Sequence, residues 1–581
     1  MRRYWSVAGI GAAVCIGMAA AADIQLPEHW ADQWNPEVGL WRSQGGGHTA
    51  PVSEEEFVHP APSAAARLLS AALVGRLDEL DAPAVLKALR EMQVTDETHG
   101  QHGCLQWYWE EPGPVDTNAA FFTGLNLIVL RLGFEEQLAA ELDAEAGETL
   151  DAILTDLSAW FDTTLENPSR YYPNKYMGDL VCRWLLIEAL DQTDEMDRVA
   201  EEMLESAAYW RDENWGWGEH MSNIYARVLL DQTSILLLLS ENLPGEVREA
   251  FTGLRDELLA IEDAYAGPRV PVIRDYRFTQ SPTHTNYRDG VTEPQASGDL
   301  AAGNLAIQPV LAVLGWHDAV PERAEPETDI TVPCYDGVEA IARVEESIRL
   351  GTLTRFPLMP DMERPTWGLS WQSFPVAAWR REGGWGFLQW ESEKEGERRA
   401  HPSGVSFREA YLHNAITFSK EEPIVGRTYA VQEGGHALVL RVMPELYAPW
   451  EGLTDRFRWV DGDADVPVEE REGPWSQLVL DFGDVELSVH HISLDGHQPA
   501  FTEPSGGPWD WSVRRGDAEL GERDYVASVW ALSLGGRVET PPELHETGED
   551  DVWRLNWDMG GGRPHWRVRI APRASKPLRA E

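Results

Sequence analysis

Apolar residues recur at helical spacing along the first half of the chain. Nine segments carry them three and four positions apart, which is the pattern of helices with at least one buried face. Turn signals separate the segments, as in the Asn-Leu-Pro-Gly sequence at 242–245. The predicted helices span residues 64–74, 82–92, 118–132, 148–163, 175–189, 197–209, 223–239, 246–261 and 298–314.

The predicted helices alternate between strongly apolar and amphipathic. Residues 235–239 are one continuous apolar run, for example, and the next segment, 246–261, is amphipathic. In an (α/α) toroid of helical hairpins, inner helices are buried on all sides and outer helices keep one wet face, which gives this alternation. A helical bundle or a solenoid would give it too, and no repeat of fixed period distinguishes them.

Strand patterns replace the helical spacing after residue 350. Short apolar runs at 386–390, 437–442, 476–482, 485–492, 525–534, 551–557 and 566–570, punctuated by Gly and Pro, are typical of an antiparallel β-sandwich. The sequence therefore predicts a multidomain α-then-β protein. The predicted parts are a signal peptide (1–22), an N-terminal extension (23–63), a helical domain (64–317), a linker and helix (318–350, with the helix at 338–350) and an antiparallel β-sandwich (351–581).

The chain of 581 residues is strongly acidic, with 97 acidic against 48 basic side chains and a formal net charge of −49. This charge excludes nucleic-acid binding through a general basic surface. Five of the basic residues are lysine, so the rest are arginine. The composition fits either a salt-adapted surface or an ordinary acidic exterior from a GC-rich genome.

The first 22 residues predict export. Arg2 and Arg3 precede an apolar stretch, and three alanines at 20–22 form a cleavage site before Asp23. The stretch is short for a membrane span, so we expect a secreted or periplasmic protein with no membrane contact after signal cleavage. We also expect a monomer. Three cysteines remain after cleavage, so at most one intramolecular disulfide can form.

A Gly- and Trp-rich segment is the first candidate for chemistry. The amide of Asn214 can donate to a carboxylate, and Trp215 and Trp217 offer flat faces to sugar rings. Glu219 and His220 follow, and an imidazole titrates near neutrality. A turn that caps the next helix is the plain structural alternative.

A long polar and aromatic loop at 275–290 is the second candidate, since loops of this length in a compact domain favour a functional role. It contains Arg277, His284, Tyr287 and Arg288. A cation beside a tyrosine favours the phenolate, so we expect Arg288 to lower the pKa of Tyr287. A surface loop with incidental polar residues is the alternative.

The first segment resembles one in the polysaccharide lyases that act on hyaluronate, chondroitin and xanthan. Asn214, Trp215 and Glu219 stand as in that family's Asn-Trp-Trp-x-x-Glu-Ile, with Gly216 in place of the second Trp. The family places an (α/α) toroid before an antiparallel β-sandwich, so the resemblance implies that residues 64–317 form an (α/α) toroid. The resemblance implies a lyase of an anionic, uronate-containing polysaccharide that needs no cofactor. Toroidal lyases of alginate or glucuronan use similar side chains.

The second segment looks like the same family's Asp-Gly-Ser-Phe-x-Gln-His…Tyr. Residues 275–280 read Asp-x-x-Phe-x-Gln, and His284 and Tyr287 follow at a shorter interval than in the family. A lyase removes the proton α to the uronate carboxylate, which requires that the carboxylate charge be neutralised. The resemblance assigns that task to Asn214, aided by His220 or His284, and makes Tyr287 or else His284 the base. The cations that would hold the phenolate and the carboxylate are Arg288, Arg274 or Arg277.

Two aromatic groups could extend a glycan cleft. Trp107 lies in one, and Arg170, Tyr172 and Lys175 lie in the other, just before a predicted helix. Aromatic rings pack on sugar C–H faces, and cations pair with carboxylates. Packing between helical hairpins is the alternative. No Cys pair has ligand spacing, and Glu219 and His220 are sequence neighbours that would point in different directions on a helix, so we expect no metal.

Two other functions remain open. A glycoside hydrolase on a similar toroid needs two carboxyl groups that face each other across the bond. A non-catalytic glycan-binding protein would use the Trp-rich β-sandwich. The carboxyl candidates for a hydrolase are Glu219, Asp289, Asp179 and Asp212.

Overall fold

The structure of the chain is a computed structural model. It describes residues 24–44, 47–53, 55–275, 278, 285–292, 304–358, 373–394, 397–400, 427–443, 451–460, 468–502, 509–516, 520 and 524–581. The predicted signal peptide lies outside these residues. The chain forms two compact units that interleave along the sequence. Unit 1 comprises Met1–Asp212, Ala226–Glu262 and Thr285–Arg323, and unit 2 comprises Glu213–Tyr225, Asp263–His284 and Ala324–Glu581.

The described residues form twelve α-helices, and those between residues 61 and 265 coincide with the predicted ones apart from the short α5. The last predicted helix is shorter than expected, and residues 298–303 of it lie outside the described part. The helices are α1 (Glu28–Gln33), α2 (Ala61–Leu73), α3 (Ala82–Glu91), α4 (Asn118–Gly133), α5 (Glu135–Glu141), α6 (Ala144–Glu166), α7 (Pro173–Ala189), α8 (Met196–Asp212), α9 (Tyr225–Leu239), α10 (Gly245–Tyr265), α11 (Tyr287–Gly290) and α12 (Ile307–Val313).

Helices of unit 1 alternate between inner and outer positions. In α7, 14 of 17 residues are buried, whereas in α8 only 5 of 17 are buried. The helices α2, α4 and α9 resemble α7, and α3 and α6 have one buried face like α8. Close packing needs small residues: a Cβ on Gly178 of α7 would lie 2.7 Å from the ring of Phe121 on α4. This double layer of hairpins is the arrangement of an (α/α) toroid and confirms the predicted helical fold class.

Antiparallel β-structure dominates unit 2. In the described residues a nine-stranded sheet has the order β18-β19-β14-β10-β9-β7-β6-β5, with β11 paired to β10, and a seven-stranded sheet has the order β15-β16-β17-β20-β13-β12-β8. A four-stranded sheet follows as β21-β22-β23-β24. The strands of these sheets are β5 (Asp329–Pro333), β6 (Glu339–Val344), β7 (Ile348–Leu353), β8 (Arg355–Phe356), β9 (Val376–Arg380), β10 (Trp385–Lys394), β11 (Glu397–Ala400), β12 (Arg427–Glu433), β13 (His436–Met443), β14 (Gly452–Val460), β15 (Val468–Glu472), β16 (Trp475–Asp481), β17 (Glu486–Ile492), β18 (Ala500–Thr502), β19 (Trp509–Gly516), β20 (Val526–Leu534), β21 (Glu543–Glu546), β22 (Trp553–Asp558), β23 (His565–Ile570) and β24 (Leu578–Ala580). Unit 1 has two short ribbons. In one, β1 (Trp34–Asn35) pairs with β2 (Leu40–Trp41), and in the other, β3 (Ser43–Gln44) pairs with β4 (Phe57–Val58).

Two hydrophobic layers join the three large sheets. Trp511 of the nine-stranded sheet meets Trp530 of the seven-stranded sheet, with ring centroids 5.7 Å apart, in the first layer. Leu440 of the seven-stranded sheet and Trp557 of the four-stranded sheet lie in the second. Alternate side chains of the middle sheet therefore point into different layers, as the period of a strand requires. The predicted antiparallel sandwich is confirmed, with a third sheet added to it.

The helix predicted at 338–350 is wrong. The segment forms β6 and the start of β7, and Ala340 and Ala342 alternate with more exposed neighbours. A short run with apolar residues at both spacings is ambiguous by pattern alone, and pairing with β5 and β7 decides for the strand. Strand β5 likewise starts inside the predicted linker.

The cysteines of the described part are all free. Cys104, Cys182 and Cys334 are buried thiols, and burial raises the pKa of each well above its ordinary value. They therefore behave as small apolar side chains. Nor do the described residues include a helix with the length and hydropathy that a bilayer crossing requires.

Candidate functional site

The segment between α8 and α9 forms a strained turn, which we call the 213–221 loop. Its φ angles are positive at Asn214 (44°), Trp215 (68°), Gly216 (51°) and Gly218 (78°). Glycine tolerates this conformation, whereas a bulky aromatic residue does not adopt it without support from its surroundings. Such strain concentrates at functional sites. The strain makes the turn a candidate for function.

Contacts between buried rings hold the 213–221 loop in place. The ring of Trp215 is fully buried and stacks on the His220 imidazole, with centroids 6.1 Å apart and an interplanar angle of 24°. Nε2 of His220 lies 3.1 Å from the carbonyl oxygen of Pro333 and donates to it. Burial lowers the pKa of His220 to about 3, so the ring is neutral near pH 7. His220 thus supports the loop as a neutral donor.

A buried ion pair fixes the end of the loop. Nε of Arg274 lies 3.2 Å from Oε1 of Glu219, and the two side chains are 2% and 0% exposed. The Arg274 guanidinium also lies over the rings of Trp217, at 4.7 Å, and Tyr225, at 5.2 Å. Ser222 Oγ donates to the Arg274 carbonyl at 3.0 Å. The charge of Arg274 is therefore compensated inside unit 2.

Asn214 is half-buried, whereas residues 215–221 that follow it in the loop are buried. Among the described residues none forms a hydrogen bond with its carboxamide. Two N–H donors of that amide are thus available on a backbone that buried contacts hold in place. This arrangement can bind an oxyanion without reorganising.

Tyr287 lies in unit 1 as a fully buried proton donor. Its phenol donates to Oδ1 of Asp231 at 2.7 Å, and its backbone N–H donates to Glu262 at 2.7 Å. Burial, with the adjacent carboxylate, raises the pKa of Tyr287 well above its ordinary value. Arg288 donates to the carbonyl of Pro321 at 2.8 Å. The expectation that Arg288 lowers the pKa of Tyr287 is therefore wrong, because an acid and not a cation faces the phenol.

Asp231 is a functional candidate that the motifs missed. It lies on the inner helix α9, and burial raises its pKa to about 6. An acidic residue inside an otherwise apolar helix was the available sequence signal, because a carboxylate is rarely buried without a partner.

Each predicted cation at the start of α7 has an acidic partner. Arg170 Nη2 lies 2.7 Å from Glu202 and 2.6 Å from Glu205. Lys175 Nζ lies 2.5 Å from Asp179, which is fully buried. Neither charge faces solvent alone.

Tyr172 and Trp107 belong to one polar network in unit 1. Asn118 donates to the hydroxyl of Tyr172 at 2.9 Å, and the backbone N–H of Asn118 donates to Asp116 at 3.0 Å. His48 lies 3.1 Å from Asp116, and its ring meets Trp107 edge-on at 4.8 Å. His48 gave no motif, because it lies in the predicted N-terminal extension.

The predicted residues thus fall into separate groups. Unit 2 brings Asn214, Trp215, Trp217, Glu219 and His220 together with Arg274. Unit 1 contains Tyr287, Arg288, Arg170, Tyr172, Lys175 and Trp107. His284 and Arg277 lie outside the described residues. Within the described part, no three His, Cys, Asp or Glu side chains could hold a metal ion.

Comparisons with known proteins find similarity at the level of structure. No protein-family model and no curated protein sequence matches the chain. A crystal structure of heparinase III has a TM-score of 0.48 and 10% identity, over 96% of this chain and 91% of that chain. A second heparinase III has a TM-score of 0.39 and 8% identity, over 89% of this chain and 84% of its own. A chondroitin lyase that is a baculovirus envelope protein has a TM-score of 0.34 and 8% identity, over 88% of this chain and 81% of its own.

Proposed function

We propose that the chain is a polysaccharide lyase that cleaves a uronate-containing anionic glycan by β-elimination, with Asn214 as the group that binds the uronate carboxylate. The observation that carries the proposal is the 213–221 loop. Its backbone is strained at Asn214 and Trp215, buried contacts hold it, and the carboxamide that it presents has no partner among the described residues.

A β-elimination needs a hydrogen-bond donor at the uronate carboxylate. Abstraction of the α-proton moves negative charge onto the carboxylate, and fixed N–H donors stabilise that charge more in the transition state than in the bound substrate. The amide of Asn214 supplies two donors without a compensating carboxylate of its own. Glu219 and His220 serve as positioning residues, because both are fully buried.

The base is proposed to be His284, on the strength of the second motif. An imidazole has an ordinary pKa near neutrality and can accept the α-proton. Tyr287 is less suited, because its buried phenol already donates to Asp231 and its pKa is raised. Replacement of His284 by Gln should lower kcat much more than KM, and unchanged kcat would contradict this role.

The alternative of a glycoside hydrolase has less support. Two of its carboxyl candidates, Glu219 and Asp179, are fully buried and paired with Arg274 and Lys175. A third, Asp289, is exposed and forms an ion pair with Arg323. Neither of the buried carboxylates can reach a glycosidic bond as placed.

An ultraviolet assay tests the proposal, since β-elimination creates a conjugated C=C bond that absorbs. The full chain is incubated with alginate, glucuronan, hyaluronate, chondroitin, xanthan and heparan sulfate. We expect absorbance to rise on at least one of them. New reducing ends without absorbance would indicate a hydrolase, and no cleavage of any glycan would overturn the proposal. Because residues 1–22 have the composition of a signal peptide, we also propose that the protein acts outside the cytoplasm.

A further inference from the structure

A small cavity in unit 1 is lined by cations and by no carboxylate. It lies between α1, the ribbon of β1 and β2, and α2, and its volume is about 160 Å³. The side chains that matter here are His29, Gln33, Trp41, Arg42, Ser63 and Arg67. The lining contains two arginines and no Asp or Glu, in a chain with twice as many acidic as basic residues.

Arg67 is fixed by its neighbours but is not neutralised by them. Its guanidinium carbon lies 5.2 Å from the ring centroid of Trp30 and 5.0 Å from that of Trp41. Nη2 donates to Oε1 of Gln33 at 2.5 Å. Nη1 is buried and has no hydrogen-bond partner, and no described carboxylate lies within ion-pair distance of Arg67. The guanidinium of Arg67 is therefore held in one orientation, and the N–H groups of its Nη1 atom have no acceptor.

A partly buried guanidinium without an anion is costly, because burial removes some of the water that solvated its charge. Burial lowers the pKa of Arg67 to about 10, so it nevertheless keeps its charge near pH 7. Buried polar atoms without partners in folded proteins are few, and an absent water or ion commonly accounts for them. Arg42 lines the same cavity, and no described side chain is paired with it. The site is thus complementary to negative charge.

We propose that this cavity is an anion subsite that binds the carboxylate or sulfate group of an acidic sugar. The planar fork of Arg67 matches two oxygens of such a group, and Arg42 adds a second cation. Trp41 supplies an apolar wall, and Ser63, whose hydroxyl donates to Oδ1 of Asn304 at 3.3 Å, also lines the cavity. The volume is about five times the ~30 Å³ share of one water in the liquid, enough for an oxyanion and part of a ring.

The choice of a sugar as the carrier rests on the proposed function, whereas the anion subsite itself does not. A chain of net charge −49 repels a polyanionic glycan at long range. Local sites where cations lack acidic partners are where such a glycan can be held. Most arginines of the helical region have a carboxylate within 4 Å, as Arg170 does, and Arg67 does not.

Isothermal titration calorimetry of the full chain tests the subsite with three probes: inorganic sulfate, glucuronate and glucose. None of them has a bond that a lyase can cleave, so binding is measured apart from turnover. We expect sulfate and glucuronate to bind and glucose not to bind. Arg67→Gln should weaken binding about tenfold or more, and Arg42→Gln about threefold or more, since each removes a charged donor.

Arg76→Gln is the matched control, because Arg76 follows α2, is partly exposed and pairs with Glu79 outside the cavity. Its affinities should equal those of the wild type. Arg42→Gln keeps the test valid if Arg67→Gln fails to fold, because Arg42 is exposed. Binding of sulfate without glucuronate would overturn the sugar, and absence of binding by either anion would overturn the subsite. Retention of affinity in both variants would also overturn it. A lyase assay that fails while glucuronate binds would count against the proposed function alone.

Discussion

Replacement of Asp231 by Asn tests the buried pair that Tyr287 forms. Asp231 is 7% exposed and accepts from the phenol of Tyr287 at 2.7 Å. The carboxamide oxygen of an asparagine can accept the same bond, so the variant keeps the bond to Tyr287, removes the charge and replaces the second carboxylate oxygen by an NH2 group. The change therefore isolates the cost of holding a carboxylate inside the helices.

The magnitude follows from the raised pKa of Asp231. The ordinary value is 3.8 and the value in the folded protein is about 6. At about 1.4 kcal/mol for each tenfold change in proton affinity, the ionised carboxylate lowers the unfolding free energy by about 3 kcal/mol. Because the folded pKa is the higher one, this cost is absent below pH 3.8, builds up between pH 3.8 and about 6, and is constant above. Asp231→Asn should accordingly stabilise unit 1 by up to about 3 kcal/mol near pH 8.

Urea unfolding followed by far-ultraviolet circular dichroism measures the effect, because the helical signal comes mainly from unit 1. The difference in midpoint, multiplied by a common m-value, gives the change in unfolding free energy. Glu201→Gln on the outer helix α8 is the control, since it removes an exposed charge and should change stability little. A destabilised Asp231→Asn variant at pH 8 would refute the reasoning, because the carboxylate would then stabilise the fold.

Two further predictions concern unit 2. Glu219→Gln should lower the unfolding free energy of unit 2 by about 3–5 kcal/mol, because Arg274 stays buried without its counter-charge. An unchanged urea midpoint, measured by tryptophan fluorescence, would contradict this. Burial lowers the pKa of His220, His490 and His491 to about 3, so the unfolded chain binds protons first as the pH falls. The stability of unit 2 should be complete above about pH 6.5 and fall by up to about 4 kcal/mol per pH unit below it, as urea midpoints at several pH values would show.

The helical half could be predicted from the sequence because its information is local. Inner helices such as α7 are rich in apolar residues, and turn residues mark where they end, so the pattern predicts both that a helix is present and where it lies. The helix predicted at 338–350 was wrong because β6 is defined by its partners β5 and β7, which a local window does not contain. The third sheet was missed for the same reason.

The sequence predicted which residues form the candidate site but not their backbone conformation or their partners. The motif pointed to Asn214, yet nothing in it showed that Trp215 would adopt a positive φ or that Arg274 would pair with Glu219. The assumed effect of Arg288 on Tyr287 failed because sequence neighbours on a helix point in different directions, while Asp231, 56 positions away, faces the phenol. Long-range partners decide such pKa values.

Turnover by Asn214→Gly is the most direct measurement of the central claim. Glycine adopts the positive φ of position 214 without strain, so the variant should fold, and it lacks only the carboxamide. On the glycan that the wild type cleaves, we expect kcat to fall about a hundredfold or more, the size of effect seen when one fixed donor to a developing oxyanion is lost. Asp191→Gly, at an exposed position with φ of 55°, is the matched control and should retain full activity. Wild-type kcat in Asn214→Gly would contradict the account.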